Sequence, residues 1–477
     1  MNNNKCNGTM EFEYNAFGKP LPTSNSISCT ESRQQSQQHQ NNSRTPLPAE
    51  RSFVSAVYFT NWSPYKKAPF FPHCIDTKKI THVYYAFLNI NGDTGCVESH
   101  DSWADFELPV STDKELEGSS PGCIAELFHL KIKHRFKVIM SIGGWSNKDN
   151  FRKALLNEKM LQTLVKTSVE QMFSLGFDGI DLDFEYPETE MESSQYLKLA
   201  ALIRKQLDDL EYSIFGVVDS KFELSVAVPG FKEGLQRMKI KEMDQFVTYW
   251  NMMTYDYYGA WSTQTGYHSG LFDSLSYSVT GTMKHDNAGR LCGDDITTFM
   301  ISKLGISPKK IVLGIGTHGR SFTNVAQKSN SSSYIGLPFQ GTGPGETEEG
   351  VWPYNSLPLK GTKEEYDTHF VSAYCFNKST RTLVTYDNAT SVNAKANYIE
   401  TMNLAGGFIW DISGDKREGA EDSLLCALYK GLSRTIKKEK SAYSERETLH
   451  YYLSNYGSQQ NPIALLIRKM YKNLSEH

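Results

Sequence analysis

Asp178-Gly-Ile-Asp-Leu-Asp-Phe-Glu185 sets three acids, Asp181, Asp183 and Glu185, two residues apart, with Ile180, Leu182 and Phe184 between them. On a strand, side chains at i, i+2 and i+4 share a face, so the acids point one way and the apolar residues the other. In a parallel barrel strand the apolar set covers the outer helices and the acids point inward. The C-terminal end, where barrel active sites lie, then falls at Glu185-Tyr186-Pro187. Alternate strand residues are roughly 6.5–7 Å apart, so burial and like-charge repulsion must raise at least one of these pKa values. Stability alone does not account for such a ladder. A shared-proton network with a protonated acid at its mouth suits general-acid catalysis. A solvent-exposed acidic edge would not need the apolar alternation. A metal site usually draws on His or on several strands.

Around this stretch, β-rich runs recur at Val54–Thr60, Ile80–Leu88, Phe136–Ile142, Phe222–Val228, Phe246–Thr254, Lys310–Thr317 and Ala405–Asp411, with Gly179–Tyr186 as the fourth of eight. The segments between them read as helices, for example Met160–Leu175 and Ser194–Leu207, by their 3.6-residue apolar spacing. Eight strands alternating with helices predict a (β/α)8 barrel. The span exceeds a typical barrel of about 250 residues, and the longest gap separates the seventh and eighth runs. A small α+β insertion at 320–386 is therefore expected there, within a catalytic barrel at 51–432. Residues 1–50 are polar, with the low-complexity run Arg33-Gln-Gln-Ser-Gln-Gln-His-Gln-Asn-Asn-Ser43, and are expected to be disordered. Residues 433–477 read as a charged tail with an amphipathic helix at Pro462–Leu474, solvated or loosely docked.

The formal charge of −4 gives no support to a nucleic-acid partner. No apolar run of about 18 residues exists, so a membrane span is not expected. The eight cysteines, at 6, 29, 74, 96, 123, 292, 375 and 426, form no CxxC pair, so the spacing supports neither a metal nor a cofactor. The N-terminus has no visible signal peptide. A cytoplasmic or non-classically exported protein is the expectation, with the cell wall or exterior as the alternative, and eight reduced thiols follow. A monomer is expected. Aromatic residues reach 12 %, which fits a large core and also flat rings stacked on sugars.

The acid ladder, together with three further motifs in order, resembles the family 18 glycoside hydrolases, specifically chitinases of the fungal and bacterial class V type. Asp178–Glu185 is similar to that family's DGxDxDxE motif, Ser141-Ile-Gly-Gly144 (followed by Trp145) to SxGG, and Met253-Thr-Tyr-Asp256 to MxYD. Trp410 closes the eighth run, and Tyr58-Phe-Thr-Asn-Trp62 and Tyr85-Ala-Phe87 look like the family's first two strands. The resemblance covers roughly residues 53 to 432. It implies hydrolysis of the β-1,4 linkages of chitin and chitooligosaccharides with retention of configuration, assisted by the substrate's own N-acetyl group. By the same resemblance Glu185 is the general acid and base, Asp183 binds the acetamide N–H, Asp181 exchanges a proton with Asp183, and Tyr255 bonds the acetamide carbonyl. Asp256 binds the distorted sugar, Trp410 floors it, and Trp62 and Trp145 extend the groove. Tyr58, Phe87, Gly144, Met253 and Arg320 complete the expected substrate-binding set, with Ser141, Gly143 and Gly144 also shaping the third strand.

One departure stands out. The seventh strand reads Leu313-Gly-Ile-Gly-Thr-His-Gly-Arg320, where related chitinases commonly have Met-Pro-Thr-Tyr-Gly-Arg, so His318 stands in place of a Tyr. Two other functions share the barrel. A chitin-binding lectin-like protein typically lacks the acid that Glu185 supplies. An endo-β-N-acetylglucosaminidase acting on N-glycans uses the same ladder, but the Met-x-Tyr-Asp element, Trp410 and the insertion favour chitin. A deep insertion wall is associated in this family with exo-processive action on long chains.

Overall fold

The computed structural model describes residues 53–110, 122–273, 291–326, 334–432, 438–459 and 462–475. The expected disordered segment at 1–50 lies outside them. Fourteen strands are present among the described residues: β1 Val54–Thr60, β2 His82–Ile90, β3 Val97–Ser99, β4 Lys137–Gly143, β5 Gly179–Asp183, β6 Glu223–Pro229, β7 Tyr249–Met253, β8 Ile311–Gly316, β9 His318–Phe322, β10 Val351–Pro353, β11 Glu364–Asp367, β12 Ser372–Asn377, β13 Thr382–Tyr386 and β14 Gly406–Trp410. The parallel order β1-β14-β8-β7-β6-β5-β4-β2 closes through a β1–β2 pairing, which makes the expected eight-stranded barrel.

The alternation in β5 is used as the sequence implies. Asp181 and Asp183 face the barrel interior, while Phe184 stacks on Phe151 with centroids 4.8 Å apart and meets Tyr196 edge-on at 5.6 Å, both from outer helices. β5 ends at Asp183, so Glu185 leaves the ladder and sits at the mouth of the barrel. The helices that cover this face run over Lys148–Leu156, Glu158–Ser174 and Glu190–Phe215. The last is longer than its apolar period suggests. Thr189 caps it by accepting from the Glu192 N–H, and Gly216 ends it in the left-handed region at φ 73°. Inside the barrel an aromatic stack of Tyr58 on Tyr84, with centroids 4.7 Å apart, fills the lower core next to Phe408.

The insertion begins at His318, two residues after the end of β8. β9 to β13 form one antiparallel sheet in the order β10-β9-β13-β12-β11. Among the described residues between β9 and β13 the only helical turn is Tyr354–Ser356. This sheet leans on the segment after β7: the Thr265 N–H donates to the Leu337 carbonyl, and Thr385 Oγ1 donates to the Gly266 carbonyl. It forms one wall above the barrel mouth.

The C-terminal segment differs from the expected loose tail. Tyr443 and Tyr452 are fully buried against Phe173, and their hydroxyls donate to the Phe173 and Ser174 carbonyls at 2.6 and 2.7 Å. Ser441 Oγ donates to Asp178 Oδ1 at 2.5 Å, while Lys131 Nζ holds Asp178 Oδ2 at 2.7 Å. The amphipathic helix Pro462–Ser475 buries Ile463, Ala464 and Ile467. Charge counts over 433–477 concealed this, because the anchoring residues are aromatic and hydroxyl groups scattered among lysines. Asp178, the first acid of the quoted stretch, is thus a structural ion pair at the foot of β5. Tyr443→Ala should lower the unfolding free energy by about 3–5 kcal/mol in urea denaturation, the loss typical of a large buried aromatic. A loss below about 0.5 kcal/mol, the surface-substitution level, would mean the segment does not dock.

Candidate active site

Four strands converge on Asp181. Tyr58 from β1 and Ser141 from β4 donate to Oδ2 at 2.9 and 2.7 Å, and Ser225 from β6 and Asn251 from β7 donate to Oδ1 at 2.7 and 3.2 Å. Burial raises the Asp181 pKa and the four donors draw it back, leaving a net upward shift. Asp183 has no such cradle. Its Oδ1 is buried without a hydrogen-bond partner. Burial and the neighbouring charges of Glu185 and Asp181 hold its pKa well above the carboxylate range. A buried side-chain oxygen without a hydrogen-bond partner is uncommon in a native fold.

Glu185 stands next in line. Burial and the charge of Asp256 push its pKa up to about 7, against the Tyr186 hydroxyl, Lys148 and the Trp145 backbone, which favour the ionised form. Tyr186 Oη donates to Glu185 Oε2 at 3.1 Å. Asp181 and Asp183 on β5 and Glu185 just beyond its end are therefore a hydrogen-bonded acid, a buried acid whose Oδ1 has no donor, and an acid tuned to neutral pH.

The backbone of β4 makes this proximity feasible. A Cβ on Gly143 would lie 2.2 Å from the Asp183 carbonyl oxygen, and its φ of +115° suits only glycine. Gly144 donates its N–H to the same carbonyl at 2.9 Å, and a Cβ there would lie 2.7 Å from the Phe87 ring. Gly144 is buried, and the close approach of Phe87 requires a residue without a Cβ there.

A cleft of about 600 Å³ opens over the ladder. Asp183, Glu185, Tyr255, Met253 and Tyr58 line its base, with Trp410 beside them. Tyr58 meets the Trp410 ring edge-on at 5.3 Å. Tyr255 keeps its proton, since burial and the Asp183 charge raise its pKa well above the usual phenol value. Trp145 lines the same cleft and is 61 % exposed, with the Lys148 ammonium over one face of its ring at 3.2 Å. On the far side of Trp410 a second chamber of about 450 Å³ continues the groove past Trp62. Phe87 connects the two indoles, 6.1 Å from Trp62 and 5.9 Å from Trp410.

Asp256, Arg320 and Glu348 form the wall shared by both chambers. Asp256 has a φ of +59° and accepts from Arg320 Nε and Nη2 at 2.7 and 2.8 Å, while His318 Nε2 lies 2.7 Å from its Oδ1. Burial would raise its pKa, but His318, Arg320 and His268 bring it well below the carboxylate range. His318 therefore joins a polar network on the wall, 2.7 Å from an Asp256 oxygen, rather than packing among apolar side chains. Sequence reading missed Trp261, which lines the cleft, is 60 % exposed, and carries the Arg320 guanidinium on its ring at 5.1 Å. Its signal was its place five residues beyond Asp256, on the loop leaving the same strand end. Tyr186 and Glu348 were also missed.

Residues 54–415 match the family model described as Glycosyl hydrolases family 18. The chain is 41 % identical over 439 residues to the sporulation-specific chitinase 2 of Saccharomyces cerevisiae, covering 86 % of this chain and 83 % of that one. It is 32 % identical over 398 residues to chitinase 1 of Aphanocladium album, covering 81 % of this chain and 89 % of that one. Among solved structures, the Group IV chitinase of Ostrinia furnacalis matches with a TM-score of 0.66 at 25 % identity, over 80 % of this chain and 100 % of that one.

Gly143→Ala should force β4 and β5 apart at Asp183. Backbone strain at a positive φ costs about 1–3 kcal/mol, so thermal unfolding should move to clearly lower temperature. An unchanged melting curve would mean that the contact relaxes freely.

Proposed function

The chain belongs to the glycosyl hydrolases family 18, and from that membership we propose that it is a chitinase that cleaves β-1,4-linked N-acetylglucosamine chains by a retaining mechanism. The observation that carries the mechanism is the buried, partnerless Asp183 Oδ1 beside a Glu185 whose pKa is near 7.

Glu185, protonated at the cleft mouth, gives its proton to the glycosidic oxygen as the bond from the anomeric carbon breaks. The acetamide oxygen of the same sugar forms a new bond to that carbon, giving a cyclic oxazolinium ion. Asp183 accepts the acetamide N–H. It becomes the better anion as positive charge develops next to it, and its own proton passes to Asp181. Asp181 can take that proton because Tyr58, Ser141 and Ser225 bind it through hydroxyls, which donate or accept after a rotation. Tyr255, protonated at working pH, donates to the acetamide oxygen and holds it in line. A water then attacks the anomeric carbon, returns a proton to Glu185, and releases product with its original configuration. Trp410 supports the reacting sugar, Trp145 and Trp261 the leaving side, and Trp62 the opposite end.

Glu185→Gln should lower kcat by at least about 10²-fold while leaving chitooligosaccharide affinity within about tenfold. The measurement is product release from chitin oligomers beside a high-mannose glycopeptide, with anomer analysis by NMR. Cleavage of the glycopeptide alone would move the assignment to an endo-β-N-acetylglucosaminidase, and retained turnover in Glu185→Gln would remove Glu185 as the acid.

The acid must carry its proton. Its pKa is raised, so activity is complete well below pH 7 and declines as pH rises through about 7. Asp256→Asn removes a negative charge that favours protonated Glu185, so the basic limb of kcat/KM should move to lower pH. A pH–rate profile in which that limb stays put would separate Glu185 from the limiting ionisation.

A further inference from the structure

Asp256, His268 and His318 bring three ligand atoms within 4.8 Å of one another, from the end of β7, the loop beyond it and the first residue of β9. Sequence spacing could not reveal the group, because 62 residues separate Asp256 from His318. His318 Nε2 lies 2.7 Å from Asp256 Oδ1, and His268 Nδ1 lies 3.6 Å from the same oxygen. The imidazole of His268 is wholly buried. Its Nδ1 accepts the backbone N–H of Asp256 at 3.4 Å, a long hydrogen bond that a bound cation would displace to reach the nitrogen lone pair. A cation so placed would lie between the imidazole nitrogen and the carboxylate oxygen. Metal–ligand distances of about 2.0–2.2 Å place tetrahedral ligands a little over 3 Å apart. The observed 2.7 and 3.6 Å bracket that separation. Two imidazole nitrogens with one carboxylate oxygen suit a borderline transition metal and are poor ligands for Mg²⁺ or Ca²⁺. Three protein ligands would leave a fourth position for water or another ligand.

Arg320 opposes this occupancy, since its Nε and Nη2 already hold both oxygens of Asp256. It has an alternative. Glu348 Oε1 stands 3.6 Å from Arg320 Nη1, so the guanidinium can turn to a second carboxylate when the first is taken. We propose that Asp256, His268 and His318 form a binding site for Zn²⁺ and cations of its class on the cleft wall, and that its occupation inhibits glycan turnover by drawing Asp256 away from Arg320 and the sugar. The inhibitory half rests on the function proposed above, and the binding half does not.

The full chain is titrated with ZnCl₂ by calorimetry, and with Co²⁺ followed by its d–d absorption. Hydrolysis is assayed in parallel at rising zinc. One saturable zinc per chain at this site is expected, with tetrahedral-type Co²⁺ bands that zinc displaces. His318→Tyr, which keeps a ring but removes the nitrogen, should weaken both zinc binding and inhibition at least about tenfold relative to its own zinc-free state. Equal binding in His318→Tyr would assign the zinc to other residues, such as His73 with Glu126, and overturn the site. Absence of a saturable step, or octahedral-type cobalt spectra, in the wild-type chain would overturn it without reference to any variant. Binding at the site with no effect on turnover would overturn the inhibitory role alone. Because binding is read without substrate, its failure is distinguishable from failure of the chitinase assignment.

Discussion

Much of the barrel is organised by the need to keep one carboxylate, Asp181, inside it. A buried anion without hydrogen bonds would shift its pKa and neutralise, or destabilise the fold. Here the remedy is distributed: a tyrosine from β1, a serine from β4, a serine from β6 and an asparagine from β7 each contribute one donor. Half of the barrel strands therefore carry a polar residue at the level of Asp181. Those same contacts lock the register of the strands, since a shift by one residue would turn each donor to the outer helices.

With Asp181 satisfied, the next rung can be left bare. Asp183 sits one pleat higher, buried, with an oxygen that nothing in the chain addresses. Burial above all, and then the charges of Glu185 and Asp181, push its pKa up and favour the neutral form. Glu185 is less enclosed and answers partly to the wall, where Asp256 keeps its negative charge through Arg320 and His318. The gradient along this strand and the two residues beyond it, from satisfied to orphaned to tuned, is a division of protonation states that three isolated acids could not maintain.

The barrel and its acid strand were legible because they follow short-range rules. Period-two alternation fixed the face of each acid, and Gly143 marked a close backbone approach. The mouth tryptophans Trp62, Trp145 and Trp410 followed from strand ends. What escaped reading depends on residues distant in sequence. Ser225 and Asn251 look like ordinary strand polar residues until Asp181 stands between them. Trp261 lies on a loop whose path is set by the insertion sheet. His318 reads as a substitution for Tyr, yet its meaning depends on His268 and Asp256. Asp178 belongs by pattern to the acid motif, but Lys131 and Ser441 make it structural. The C-terminal segment was misread because its anchors, Tyr443 and Tyr452, are few among many charges.

The contact between Ser441 and Asp178 links the last portion of the chain to the foot of the strand that carries the acid. A ribosome emits residues 438–475 after every barrel strand has already emerged. Until then Asp178 has its lysine but lacks its hydroxyl and the Ala442 N–H, and the groove beneath Phe173 stands open to water. Domains generally consolidate from the N-terminus as they are made. In this chain the foot of the acid strand is completed by Ser441 and Ala442, which follow every barrel strand in sequence, so the strand that leads to the acid is made in the first half of the barrel and is among the last parts fastened.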